Sequence, residues 1–143
     1  MTRGVITDIV RADAESVLRV LLVEHDPIDR AVFVQLMRAS HDAPEVVTAA
    51  GFSAAVDTLR LESIDTVFCS VAGQDMELFR ALVRIARPRP VVALLAEGES
   101  AIQNHVAEAG AVRILWKEHL LSSFVQRMVE ATRACPDRLP AYA

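Results

Sequence analysis

Lysine is almost missing from this chain of 143 residues: Lys117 stands alone among 15 basic side chains, and every other one is an arginine. Cysteine is nearly as scarce. Two of them, Cys69 and Cys135, are too few for the multi-bridge framework of a small secreted domain. Cys69 lies in an apolar run and reads as a small buried hydrophobe, and Cys135 sits in a proline-flanked stretch. The expected setting is a reducing, cytoplasmic one. No apolar run approaches the ~20 residues of a spanning helix. Residues 1–8 have neither the apolar core nor the cleavage site of a secretory leader, so no membrane contact is expected. A basic stripe is missing too, and the formal net charge is −4, which removes the counterion-release term that drives general nucleic-acid binding. Direct nucleic-acid binding is therefore not expected. Gly-x-Ser-x-Gly, P-loop and GxGxxG patterns are absent, and nothing else points to catalysis, so the chain is not read as an enzyme. The histidines, His25, His41, His105 and His119, form no i, i+3 or i, i+4 pair, so no zinc site is expected.

What is present is a rich apolar content, 52% of residues, with 24% charged, enough for one well-packed domain. Short β-like runs alternate with helical ones. Residues 17–23 (VLRVLLV) read as a strand, and Pro27 then opens a helix, where its missing N–H costs nothing. Ile28, Val32, Gln35 and Leu36 mark one side of that helix, with Phe33 and Met37 widening the stripe. Residues 45–50 (EVVTAA) and 64–69 (IDTVFC) read as strands, each followed by a helical pattern, over 53–61 and from Met76 to Ile85. Residues 91–95 (VVALL) form a continuous apolar run, the mark of a strand covered on both faces. A helix over 100–109 stops at Gly110, a strand follows over 112–115, and a last amphipathic helix is expected over 118–133. Five β-then-α units with short connections imply right-handed crossovers onto a parallel sheet. The expected architecture is a flavodoxin-like (βα)5 doubly wound sandwich, whose sites form at the carboxyl ends of the strands. Residues 1–16 read as an N-terminal extension, 17–134 as the domain, and 135–143 as a flexible tail.

The run Leu21-Leu22-Val23-Glu24-His25-Asp26-Pro27 resembles the opening of a response-regulator receiver domain: an apolar strand, an acidic pair, then a helix. The similarity continues through Ile64-Asp65-Thr66-Val67-Phe68-Cys69, Pro90-Val91-Val92-Ala93-Leu94-Leu95-Ala96 and Ala109-Gly110-Ala111, then Leu115-Trp116-Lys117. The resemblance implies a five-stranded sheet in the order 2-1-3-4-5. In that family, acidic residues after the first strand hold Mg²⁺ and an aspartate ending the third strand accepts phosphate. A Ser or Thr ending the fourth strand and a lysine after the fifth hold the phosphoryl group. Here Glu24 and Asp26 flank His25, a poor Mg²⁺ ligand; the acceptor position is Ser70, the hydroxyl position is Leu95, the switching aromatic is Ile114 and the proline after the lysine is Glu118. Lys117 alone clearly matches.

The resemblance thus implies a pseudo-receiver: a single-domain module of bacterial two-component signalling that acts through protein–protein contact without aspartyl phosphorylation. No cofactor is expected, Mg²⁺ included. Expected partners are signalling proteins, a histidine kinase or an output protein, or a second copy of the chain. The face used by relatives maps to His105, Arg113, Ile114, Trp116 and Arg127. Two other functions stay open: phosphorylation on Asp26 or Glu24, or sensing of a small ligand or anion in the vacated site. Individual residues stay open too. Lys117 either pairs with Glu24 or Asp26 or serves a residual anion site; Ser70 is a filler or a kinase target; His25 is a plain loop histidine or a metal- or pH-responsive one. Trp116 either anchors a partner or covers the edge of the core.

Overall fold

A computed structural model describes residues 17–39, 43–71 and 76–119. The extension 1–16, the last helix expected over 118–133 beyond His119, the tail 135–143, and with them Arg127, lie outside the described residues. Five strands, β1 (Arg19–Val23), β2 (Glu45–Ala49), β3 (Thr66–Ser70), β4 (Val91–Leu95) and β5 (Arg113–Trp116), pair entirely in parallel in the order β2-β1-β3-β4-β5. The order 2-1-3-4-5 expected from the resemblance is thus the order found. Helices α1 (Pro27–Arg38), α2 (Phe52–Leu61), α3 (Met76–Ala86) and α4 (Gln103–Glu108) fill the crossovers.

The sheet is coated on both faces because β1, β3 and β4 are apolar at consecutive positions, so period-two alternation sends residues to two cores. Val20, Leu22, Phe68, Val92, Leu94 and Leu115 meet Phe33 and Met37 of α1, with the Phe33 and Phe68 rings 5.4 Å apart and tilted. Leu21, Val23, Val67, Cys69, Ala93 and Leu95 meet Ala55, Leu59, Phe79, Leu82 and Val106. One expectation shifts here. The helical stripe in α1 was centred on Ile28, Val32 and Leu36, yet Ile28 and Val32 are exposed and the buried positions are Phe33 and Met37. The apolar arc of α1 is wider than its contact with the sheet, and the larger side chains take that contact.

Other boundaries move for local reasons. The helix expected over 100–109 starts earlier, as a 3₁₀ segment (Glu97–Ile102) ahead of α4, because the Glu99 carboxylate accepts the Ala96 N–H at 2.6 Å. β3 runs one residue past Cys69, since Ser70 still pairs with Leu94. The amino ends of the strands are tied by arginines. Arg19 donates to Glu45, Glu62 and the Ser63 carbonyl, while its own N–H goes to Asp65 Oδ2 at 2.8 Å. Asp65 is therefore a structural residue at the end of the sheet away from the carboxyl termini. Gly110 ends α4 with φ +115, and a Cβ there would lie 2.9 Å from Val83 Cγ1. Gly110→Ala combines a left-handed backbone with a steric overlap and should cost about 2 kcal/mol. A melting temperature equal to that of the native chain would show that Val83 yields without cost.

Candidate functional site

At the carboxyl ends of the strands, β1 delivers Glu24, β3 delivers Ser70, β4 delivers Leu95 and β5 delivers Lys117. The β1–α1 connection is fixed by hydrogen bonds that its own residues make. Asp26 is the N-cap of α1: its Oδ1 accepts the N–H groups of Ile28 at 2.9 Å and Asp29 at 3.4 Å. The Asp26 N–H donates to Glu24 Oε2 at 3.1 Å, and Arg30 Nη1 donates to the Glu24 carbonyl at 2.7 Å. Glu24 is consequently held with only 2% of its surface exposed.

A carboxylate so buried needs a counter-charge, and Lys117 supplies it. Its Nζ lies 2.8 Å from Glu24 Oε1 and 3.0 Å from Asp29 Oδ2. Of the two partners expected for Lys117, the structure pairs it with Glu24; the second carboxylate is Asp29 in place of Asp26, whose side chain caps the helix instead. Asp29 was not singled out from the sequence, although its place in the first turn of α1, three residues after the cap, turns it toward the strand ends. Burial by itself would lower the Lys117 pKa, but the hydrogen bonds and charges of Glu24 and Asp29 outweigh it and raise it above the usual lysine value. His25 is half exposed, with Nδ1 3.6 Å from Glu24 Oε2. A cleft of about 110 Å³ opens beside these groups, walled by Val32, Phe33, Leu36 and Leu94.

Ser70 is wholly buried, and its Oγ has no hydrogen-bond partner among the described residues. Its neighbour Cys69 is buried as well; burial first, then the Glu24 charge, pushes the thiol up to about 12, which leaves it protonated and unreactive at neutral pH. Leu95 is fully buried and packs with Val106 and Ala93 on the opposite face of the sheet. Glu118 bridges the two loops at this end, its carboxylate accepting the Glu97 N–H through both oxygens at 3.0 Å, and that bond holds its pKa below the usual glutamate range. On the neighbouring edge, His105 is exposed on α4, while Arg113, Ile114 and Trp116 are half-buried on β5. Ile114 and Trp116 pack against the core that holds Leu95 and Val106. Among the described residues no group of three or more His, Cys, Asp or Glu side chains is placed to hold a metal ion.

No protein-family model matches the sequence, and no curated protein does either. Solved structures do. The receiver domain of a sensor histidine kinase from Pseudomonas aeruginosa, with a magnesium ion coordinated in its active-site cleft, superposes with a TM-score of 0.67 at 20% identity, over 80% of this chain and 96% of its own. A response regulator from Thermotoga maritima gives 0.68 at 23% identity, over 80% and 97%. This chain has the receiver fold. A LuxR family DNA-binding response regulator from Silicibacter pomeroyi gives 0.67 at 21% identity, over 80% and 90%. The receiver fold accounts for the placement of Glu24, Ser70, Leu95 and Lys117 at one end of the sheet, since all four end or follow adjacent strands. No described helix is long and apolar enough to cross a membrane.

Proposed function

We propose that this protein is an atypical receiver of bacterial two-component signalling, cytoplasmic and without enzymatic activity, that works by binding other proteins without aspartyl phosphorylation. The observation that carries this reading is Ser70. The position that ends the third strand presents a fully buried hydroxyl in place of a carboxylate, and a serine hydroxyl cannot form an acyl phosphate. The charges around it support the same view. The Lys117 ammonium, which would meet a phosphoryl group in a working receiver, is already shared by Glu24 and Asp29. Those two carboxylates and His25 make a poor Mg²⁺ site, because Mg²⁺ requires several oxygen ligands in octahedral array and an ammonium already lies between the two carboxylates. Asp26 and Glu24, the other conceivable acceptors, are engaged by helix capping and by burial respectively.

The partner is a histidine kinase, an output protein or a second copy, met through the edge formed by α4 and β5 with His105, Arg113, Ile114 and Trp116. Incubation with acetyl phosphate, or with beryllofluoride and Mg²⁺, is the test. Intact-mass analysis should show no added phosphoryl group, and melting should not shift with beryllofluoride; stoichiometric phosphorylation of any carboxylate would overturn the proposal. A second reading, a sensor of a small ligand or anion, is favoured by one observation, the cleft beside Lys117. It requires the ligand to displace Asp29 from the ammonium, so anionic hits in a ligand panel read by thermal shift should grow stronger in Asp29→Asn, which removes the competing carboxylate, and should vanish in Lys117→Met.

A further inference from the structure

At the other end of the sheet, apart from the acidic cluster around Arg19, arginines gather along α3 and the loop that follows it. From Leu78 to Ala96 the chain contains no aspartate or glutamate, yet it carries Arg80, Arg84, Arg87 and Arg89, in a protein whose net charge is −4. Arg80, Arg84 and Arg87 follow the i, i+4, i+7 spacing of α3 and the turn after it, so they share one side. Arg80 is paired with Glu77. Arg84 and Arg87 are exposed, and neither has an ion pair among the described residues. A basic residue in the last turn of a helix offsets the helix dipole, which accounts for Arg84 but not for Arg87 beyond the helix end.

Arg89 is built in. Its Nε donates to the Ile64 carbonyl at 3.2 Å, Nη1 to Ala86 at 3.1 Å and Nη2 to Leu59 at 3.0 Å. Three neutral carbonyls satisfy its N–H groups without an ion pair of its own among the described residues, so it fixes the loop 87–90 and keeps its charge there. Beside it a notch of about 180 Å³ is walled by Val83, Pro88, Pro90 and Val112, and the missing side chain of Gly110 keeps it open. On the same helix Leu78 and Ile85 are 40% and 38% exposed.

We propose that the carboxyl end of α3 and the loop 87–90 form a docking surface for an acidic segment of a protein partner that carries an apolar side chain for the notch. The charge is complementary to carboxylates, and the apolar walls between the arginines suit a leucine-sized group. A nucleic acid fits less well: two exposed guanidinium groups on an acidic protein release few counterions. This inference is independent of the receiver reading, because the surface lies at the amino ends of β4 and β5, away from Ser70 and Lys117.

The experiment is fluorescence polarisation on the full chain with a labelled peptide of about ten residues, glutamates around two leucines. Saturable binding is expected, weakening as salt rises from about 50 to about 300 mM and falling by roughly tenfold or more in Arg84→Glu/Arg87→Glu, about 1.4 kcal/mol. Both side chains are exposed, so the variant should melt like the native chain; Arg84→Gln/Arg87→Gln, expected to weaken binding less, serves if the charge reversal unfolds it. Unchanged binding in both variants would overturn the proposal, as would a single-stranded oligonucleotide that binds as tightly as the peptide. Self-association of the native chain that the arginine variants abolish would assign the surface to a second copy and also overturn it.

Discussion

Replacing Lys117 with methionine is expected to lower stability by about 3 kcal/mol at neutral pH, the scale of breaking a buried ion pair from one side. The loss comes from Glu24, which stays 2% exposed while its cation is removed. An orphaned carboxylate escapes by taking up a proton, and at pH 7 that costs a glutamate about 4 kcal/mol, which caps the effect. Acidification should therefore narrow the gap between variant and native chain, and near pH 5 the cap falls to about 1 kcal/mol. Glu24→Gln in the Lys117→Met background should recover most of the loss, because a glutamine oxygen still accepts the Asp26 N–H. In the native chain the linkage has the opposite pH sense. The Lys117 pKa is raised in the folded state, so its stabilisation is complete below the unfolded lysine value of about 10.4 and is lost as pH climbs through the raised one. Thermal melts of the four members of the cycle at two pH values measure all of this. Equal melting temperatures for native and Lys117→Met would show that the pair contributes nothing.

Placing a carboxylate at the end of β3, Ser70→Asp, should be as damaging and, on the proposed reading, should not create a switch. Ser70 is fully enclosed and its hydroxyl already lacks a partner among the described residues. Val23 pairs with Cys69, so the next residue along each strand, Glu24 and Ser70, are neighbours. An aspartate there sets a second carboxylate beside Glu24 with one ammonium between them. Protonation again limits the cost, to about 4 kcal/mol at pH 7, which corresponds to a fall of roughly 10–20 °C in melting temperature for a domain of this size. Millimolar Mg²⁺ should return little of it, since His25 offers nitrogen where the ion wants oxygen and Leu95 offers no hydroxyl at the end of β4. A variant that melts like the native chain, or that Mg²⁺ stabilises by many degrees, would show that the receiver chemistry survives in latent form.

The fold was legible because its signals are local and redundant. Four of the strands announce themselves as apolar runs bounded by polar or proline residues, Pro27 marks the start of α1, and Gly110 marks the end of α4. That Glu24, Ser70, Leu95 and Lys117 gather at one end of the sheet followed from the resemblance and from the order of the strands, since in a parallel sheet the carboxyl ends all lie together. What the sequence left open depended on distance. Asp29 is 88 positions from Lys117, and no spacing rule connects a first-turn helical aspartate to a residue that ends the fifth strand. Asp26 was the second partner expected for Lys117, and its capping bonds to Ile28 and Asp29 engage it instead.

The same division holds for the chain as a whole. Its apolar periodicity, its turn residues and the chemistry of single positions determined the five strands and the four helices between them, the absence of a carboxylate at Ser70 and the singular Lys117. Those are properties of short stretches, fixed by backbone preference and side-chain type. Tertiary structure alone decided which acid neutralises Lys117, which arc of α1 meets the sheet, that Arg89 is locked onto three carbonyls while Arg84 and Arg87 stay exposed, and that Trp116 leans on the core around Leu95. Each is set by which elements pack together, and packing joins residues that no local pattern brings near one another.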